Sequence, residues 1–263
     1  YQSLADEMMK IHSEDKHNDT YGRNRMYMAL ILKKNSGKIN IDIPCETTVR
    51  KVMKQIGLLH KPQRKPNSIT KVDREAHKSD DLLKRDFSAE KPLEKAVTDM
   101  SELPAKDGKA YVSAIFDCFD LMPIGLAVDD NMRASLCVQT LDNARKSYPG
   151  IKGCIIHSDR GSQYTSTEYR ETIKKYGIIQ SMNSAGGRCH DNARCESVWA
   201  RMKNELFYSR NDKSENYTIE ELKTMIWRYF MSYWTNRRIC TSNGGLPPAL
   251  KRALFYKSVN IAA

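Results

Sequence analysis

The chain has 263 residues, 40% of them hydrophobic, enough for one large domain or for a small and a medium one. Its 43 Lys and Arg against 32 Asp and Glu give a formal net charge of +11, which points to a polyanionic partner. No run of apolar residues is long enough for a membrane-spanning helix, and the odd count of 7 scattered Cys fits a reducing cytosol better than a disulfide framework. The opening, YQSLADEMMKIHSEDK, is charged and amphipathic, so it does not read as a signal peptide. Without an initiator Met, the chain reads as a piece of a longer product.

The basic residues are not spread evenly. From Thr47 to Val72 there is no acid but seven Lys or Arg, and from Leu222 to Ala263 there is again no acid and seven basic residues. Two acid-free blocks around an acid-containing middle suggest a nucleic acid grip about a working centre, against the plainer reading of a generally basic surface.

Residues 1 to about 60 read as short helices. Leu4, Met8 and Ile11 have helical spacing, Tyr21-Gly22-Arg23-Asn24 breaks the chain, and Met26, Ala29, Leu30 and Lys33 continue a second helix. Asn35-Ser36-Gly37 ends it. In a third helix Val49, Val52, Met53 and Ile56 fall on one face and Gly57 serves as its cap. The opposite face carries Arg50, Lys51, Lys54 and Gln55. A small all-α helix-turn-helix DNA reader fits this pattern. An ordinary three-helix bundle with a basic face fits it too.

HKPQRKPNSITK, with two prolines and no helical stripe, reads as a linker. The texture then changes. Lys95–Met100, Lys109–Phe119, Pro123–Val128, Cys154–Ser158 and Ile178–Met182 read as strands. Helices are expected over Ala134–Ser147, Ser166–Tyr176 (closed by Gly177), Asp191–Phe207 and Thr218–Asn236, with Gly244-Gly245-Leu246-Pro247-Pro248 ending the last. Three strands followed by alternating helix and strand indicate an α/β fold with a mixed five-stranded sheet and flanking helices.

Three acids stand out. Asp99 lies on the first strand, Asp159 just past the fourth, and Glu196 in the first turns of the helix after GGRCHDNARCES. A strand centre, a neighbouring strand end and a helix start can converge on one edge of such a sheet. Three convergent carboxylates suit Mg²⁺, and a pair of such ions can activate a nucleophile and stabilise a leaving oxygen at phosphorus.

TDMSE (98–102), HSDRGSQYTS (157–166) and DNARCES (191–197) resemble the three acidic motifs of DDE transposases and retroviral-type integrases. The chain is most similar to the OrfB products of bacterial insertion sequences of the IS-three group. YGRNRMYMAL with TTVRKVMKQIGLL resembles that family's helix-turn-helix, and YFMSYWTNRRICTSNGGLPP its C-terminal segment. The spacing between Asp159 and Glu196 holds one residue more than the family's usual pattern, an insertion that falls in the loop NSAGGRCH. The resemblance implies a ribonuclease-H-like fold divided as follows: a helix-turn-helix domain over 1–60, a basic linker over 61–92, a catalytic core over 93–213, and a basic aromatic helix and tail over 214–263. It implies that Asp99, Asp159 and Glu196 bind two Mg²⁺ (Mn²⁺ as a substitute) and that the protein cuts and joins double-stranded DNA at element ends and targets. It also implies an OrfA partner or an OrfA–OrfB fusion, homo-oligomers on DNA, and a bacterial cytoplasmic, nucleoid-associated setting.

The neighbours of the acids divide. Lys203 follows Glu196 by nearly two helical turns and Asn192 precedes it by one, so both are candidates for DNA contact, as is Arg160 beside Asp159. Arg237 and Arg238 are placed to reach phosphate. Trp199 and Met202 read as core, and so do Trp227, Tyr229, Phe230, Tyr233 and Trp234, in preference to base stacking. His157 either steadies the Asp159 loop or packs. Cys189, His190 and Cys195 match no common zinc spacing and lack a fourth ligand. A simple nuclease would need no sequence reader, and serine or tyrosine recombination would need a nucleophile among activating arginines. The remaining alternative is a catalytically inactive, transposase-derived DNA-binding protein.

Overall fold

A computed structural model describes residues 1–59, 80–84, 86–183 and 193–262. The chain divides into two compact units. The first joins Tyr1–Lys65, Lys203–Asp212 and Ser232–Ala263; the second joins Pro66–Met202 and Lys213–Met231. The C-terminal residues expected to form a tail of their own are thus grouped with the N-terminal helices.

The second unit is built on a five-stranded sheet ordered β3-β2-β1-β4-β5. β1 (Lys95–Ala105) and β2 (Gly108–Asp117) form an antiparallel hairpin, and β3 (Pro123–Asp129) continues the meander. The chain then crosses through α4 (Ala134–Ser147) and returns as β4 (Ile155–Ser158), parallel to β1 on its other side. α5 (Ser162–Thr165) and α6 (Thr167–Lys175) lead to β5 (Ile179–Met182), parallel to β4. This is the expected mixed sheet, with its antiparallel part first. β1 runs five residues further than the sequence pattern suggests, because Ser101 to Ala105 pair with β2 up to the hairpin turn.

Packing explains why these segments hold their shape. Leu136, Cys137, Thr140, Leu141 and Ala144 form the buried face of α4. Each fully buried large aliphatic side chain contributes about 1.5–3 kcal/mol. α4 approaches β3 so closely at Gly125 that a Cβ there would stand 2.5 Å from the Thr140 carbonyl oxygen. Ser166 caps α6 by accepting from the Tyr169 N–H, and Gly177, at φ +64°, ends it as Ile178 N–H reaches back to the Ile173 carbonyl.

α7 (Ala193–Leu206) begins in the second unit, and its last turn is grouped with the first. α8 (Ile219–Arg228) starts on a capping box in which Thr218 and Glu221 satisfy each other's backbone N–H, and continues as a wider π-helical turn over Tyr229–Trp234. Tyr229, Phe230, Tyr233 and Trp234 are buried as expected, whereas Trp227 is 59% exposed.

In the first unit α1 (Gln2–Glu14), α2 (Arg23–Asn35) and α3 (Glu46–Gln55) enclose a core of Leu4, Met8, Ile11, Met26, Leu30, Val49, Val52 and Met53. Gly57, at φ +75°, ends α3 as expected, with Leu58 N–H donating to the Met53 carbonyl. The connection from α2 to α3 runs from Ser36 to Cys45, longer than the three or four residues of a tight helix-turn-helix turn. α9 (Pro248–Ala262) is a helix where the sequence pattern was read only as a stop.

Candidate active site

The sheet itself brings two of the acids together. β1 and β4 are adjacent and parallel, with Val97 opposite His157. Asp99 and Asp159 each stand two residues beyond that pair. Adjacent strands lie about 4.8 Å apart and residues two apart share a face, so the two carboxylates rise side by side. Asp159 leaves β4 just past its last residue, Ser158, and its Oδ1 accepts from the Gly161 N–H at 2.9 Å. That turn fixes the carboxylate as an extension of the strand.

The electrostatics follow from this crowding. Burial, and then the negative charge of Asp159, push the Asp99 carboxyl up to about 7; Glu196 adds to the rise. The Met100 N–H and the Trp199 indole act in the opposite direction. Burial also raises Asp159, while the Gly161 N–H and His157 hold it back. Glu196 lies in the first turn of α7, within electrostatic reach of Asp99. Among the described residues, no three His, Cys, Asp or Glu side chains form a ready cluster for a metal ion. The fit to a divalent cation therefore rests on the Asp99–Asp159 pair, two oxygen donors whose repulsion a cation would relieve.

Behind the acids, His157 is buried between β4 and β5. Its Nδ1 lies 2.9 Å from Ser181 Oγ and its Nε2 2.7 Å from Asn183 Oδ1. Ser181 Oγ in turn accepts from the Leu82 N–H at 3.0 Å. His157 is thus a strut under the Asp159 loop. Arg160 is half-buried, and its Nε donates to the Asn183 carbonyl, clamping the same loop to the end of β5. Arg194 donates to the Cys118 carbonyl at 2.6 Å, tying the start of α7 to the end of β2. Of these supports, the sequence marks His157 as a candidate prop for the loop and Arg160 as a candidate DNA contact, and it singles out neither Arg194 nor Asn183. The Asn183 contacts join residues too far apart in the chain for spacing to reveal them.

The other candidates are scattered. Arg50, Lys51 and Lys54 are exposed on one face of α3. Lys203 is half-buried in the last turn of α7. Asn192, with Cys189 and His190, lies outside the described residues, and Cys195 is fully buried. Arg237 is partly exposed and paired with Asp15 at 2.7 Å.

Arg238 corrects the sequence reading. It is buried, with its Nε 3.0 Å from Glu205 Oε2 and its Nη2 2.7 Å from Oε1, and its guanidinium lies 4.4 Å from the centre of the Trp234 ring. Arg25 completes the group, 2.7 Å from Glu205 Oε1. A buried guanidinium is costly unless fully paired, so these bonds account for Arg238, which is not presented to DNA.

A five-stranded mixed sheet with acids paired on its central parallel strands defines a ribonuclease-H-like integrase core, and the family model for the integrase core domain matches residues 89–188. The chain is 35% identical over 205 residues to the probable transposase for insertion sequence element IS1353 of Shigella flexneri, covering 77% of this chain and 39% of that protein. It is 36% identical over 175 residues to the putative transposase InsK for IS150 of Escherichia coli (strain K12), covering 66% and 60%. It is 30% identical over 201 residues to the transposase InsF for IS3A of the same strain, covering 76% and 68%. The chain belongs to the transposases of IS3-group insertion sequences. Its match spans less than two thirds of the first two of these relatives. No helix among the described residues is long and apolar enough to cross a membrane.

Proposed function

We propose that this chain catalyses metal-dependent DNA cleavage and strand transfer for an insertion sequence. The observation that carries the reading is the approach of Asp99 on β1 and Asp159 just past the end of the adjacent parallel strand β4, each held with a raised affinity for a proton. Carboxylates that bind a proton because burial strips them of water, with the charge of Asp159 adding to the effect at Asp99, are groups that a Mg²⁺ ion would satisfy better. Asp99, Asp159 and Glu196 would hold two Mg²⁺, with Mn²⁺ able to replace them. When bound, such ions activate the attacking oxygen and stabilise the leaving one at phosphorus.

The chain's own residues supply position. The Gly161 N–H and the His157–Ser181–Asn183 strut keep Asp159 beside Asp99. Arg194 holds the helix that carries Glu196. In the first step a water oxygen bonds to phosphorus at the element's end, the P–O3′ bond breaks, and the 3′-oxygen leaves as a hydroxyl. In the second step that hydroxyl attacks a target phosphodiester, one P–O bond forming as another breaks. No Ser or Tyr nucleophile is needed. Arg50, Lys51 and Lys54 on α3 offer basic contacts to the DNA backbone, with Lys203, Arg160 and Arg237 as further candidates. Double-stranded DNA with terminal inverted repeats, target DNA, an OrfA product or fusion, and further copies of the chain are the partners this reading entails, in a bacterial cytoplasm.

The test is strand transfer with Mg²⁺ on DNA carrying the element's ends, for wild type and for Asp159→Asn. Metal-dependent joined products, lost in the variant, are expected. Cleavage without joining would make the protein a nuclease. DNA binding with neither activity, even with the upstream partner added, would leave an inactive DNA-binding derivative.

A further inference from the structure

Trp199 carries a buried polar atom that packing alone does not explain. It sits three residues after Glu196 on α7, and is 5% exposed. Its ring is fixed edge-on by two fully buried phenylalanines, Phe116 (centroids 5.7 Å apart, 72° between planes) and Phe230 (5.9 Å, 86°). Such contacts need only the hydrocarbon rim. The indole Nε1–H is nevertheless buried and has no hydrogen-bond partner of normal geometry. A buried donor left unmet costs about 1–3 kcal/mol.

The sheet register places Asp99 on the face that Trp199 covers. Val97 stands opposite Phe116 and Asp99 opposite Ala114, so Val97, Asp99, Phe116 and Ala114 share one face of β1 and β2. Trp199 covers that face through Phe116, the diagonal neighbour of Asp99 across the β1–β2 ladder.

We propose that Trp199 is a positioning residue for the metal site. Its indole N–H takes one carboxylate oxygen of Asp99 and leaves the other turned towards the cation. This inference rests on the metal-binding reading given above. It gives α7 two tasks on neighbouring turns, since Glu196 supplies a ligand and Trp199 orients one supplied by the sheet. Loss of such outer partners typically lowers metal affinity or activity by about 10–100-fold.

The test replaces the Trp199 indole by its benzothiophene isostere, which keeps the ring and removes the N–H, with Trp199→Phe alongside. Mn²⁺ alone is titrated calorimetrically into the full chain, and melting temperature reports folding. The isostere is expected to weaken Mn²⁺ binding by about tenfold or more. It should melt with the wild type and lower kcat for strand transfer while leaving KM for DNA unchanged. A folded isostere with wild-type Mn²⁺ affinity would overturn this inference alone. Failure of the wild type to bind Mn²⁺ would overturn the metal reading, and this inference with it.

Discussion

Asp99 on β1 stands two residues past Val97, and Asp159, just beyond the end of the parallel neighbour β4, stands two residues past His157, the partner of Val97. The sheet therefore holds two carboxylates together away from water before any cation arrives, and the metal-free protein bears first their burial and then the repulsion at Asp99 as a loss of stability. In the unfolded chain Asp99 titrates near 3.8, and in the folded protein near 7. Between those values the native state keeps a proton that the unfolded state has released. Stability of the metal-free protein should thus be full below the lower value and fall as pH rises through the window. Asp159, also raised, acts in the same direction. Asp99→Asn is expected to stabilise the metal-free protein at pH about 8 by on the order of 2 kcal/mol, roughly half the full shift at 1.36 kcal/mol per unit, because Asp99 keeps some solvent access. The advantage should vanish near pH 4. Thermal melts in chelator across that range check this; parallel curves would sink the argument.

His157 joins Ser181 and Asn183 beneath the Asp159 loop. His157→Ala leaves the buried Ser181 and the half-buried Asn183 without this partner, so a loss of about 1–3 kcal/mol is expected by urea unfolding. Strand transfer should fall at least tenfold even where the protein remains folded, since the loop loses its strut. An active, equally stable variant would show that the network is idle.

Arg237 and Arg238 are neighbours with different fates. Removing Glu205 strands the buried Arg238 and the partly buried Arg25, so Glu205→Ala should lower stability by about 3–5 kcal/mol. Arg237→Ala breaks only an ion pair open to solvent on one side, and should cost under about 1 kcal/mol. Urea unfolding of both variants decides it, and similar losses would contradict the assignment.

The exposed face of α3 makes a prediction about salt. If Arg50, Lys51 and Lys54 each neutralise a phosphate, their combined replacement by Gln should reduce the slope of log affinity against log salt by about 3. Binding titrations over a range of salt concentrations measure this directly. An unchanged slope would move the DNA contacts elsewhere.

Much of the sheet could be read from the chain because its strands are short apolar runs bounded by turn residues. α4 was legible to its last residue, since Leu136, Thr140, Leu141 and Ala144 mark a single face. The acids were found by a different route. Their residue types and places, a strand centre, a neighbouring strand end and a helix start, suggested a cation site, the family resemblance supported the grouping, and the register of β1 with β4 gives the approach of Asp99 and Asp159 a physical basis. Arg238 was misread because its partner, Glu205, lies thirty-three residues upstream, and local sequence shows only two adjacent arginines. α9 was missed because Pro247-Pro248 was taken as a stop. Proline is equally at home at the first position of a helix, where its missing N–H is no loss.

The pairing of β1 with β4 also sets an order of events. β1, β2 and β3 are joined by short turns and can associate as soon as they are made, whereas His157 follows its partner Val97 by sixty residues. At about 5–20 residues per second, synthesis of that interval takes roughly 3–12 s. During that time the nascent chain carries Asp99 on a formed meander but has nothing to place beside it. The proposed catalytic centre is thus assembled late, when α4 has crossed over and β4 has docked. A ribosome-bound or truncated product that stops short of β4 should be harmless to the DNA around it.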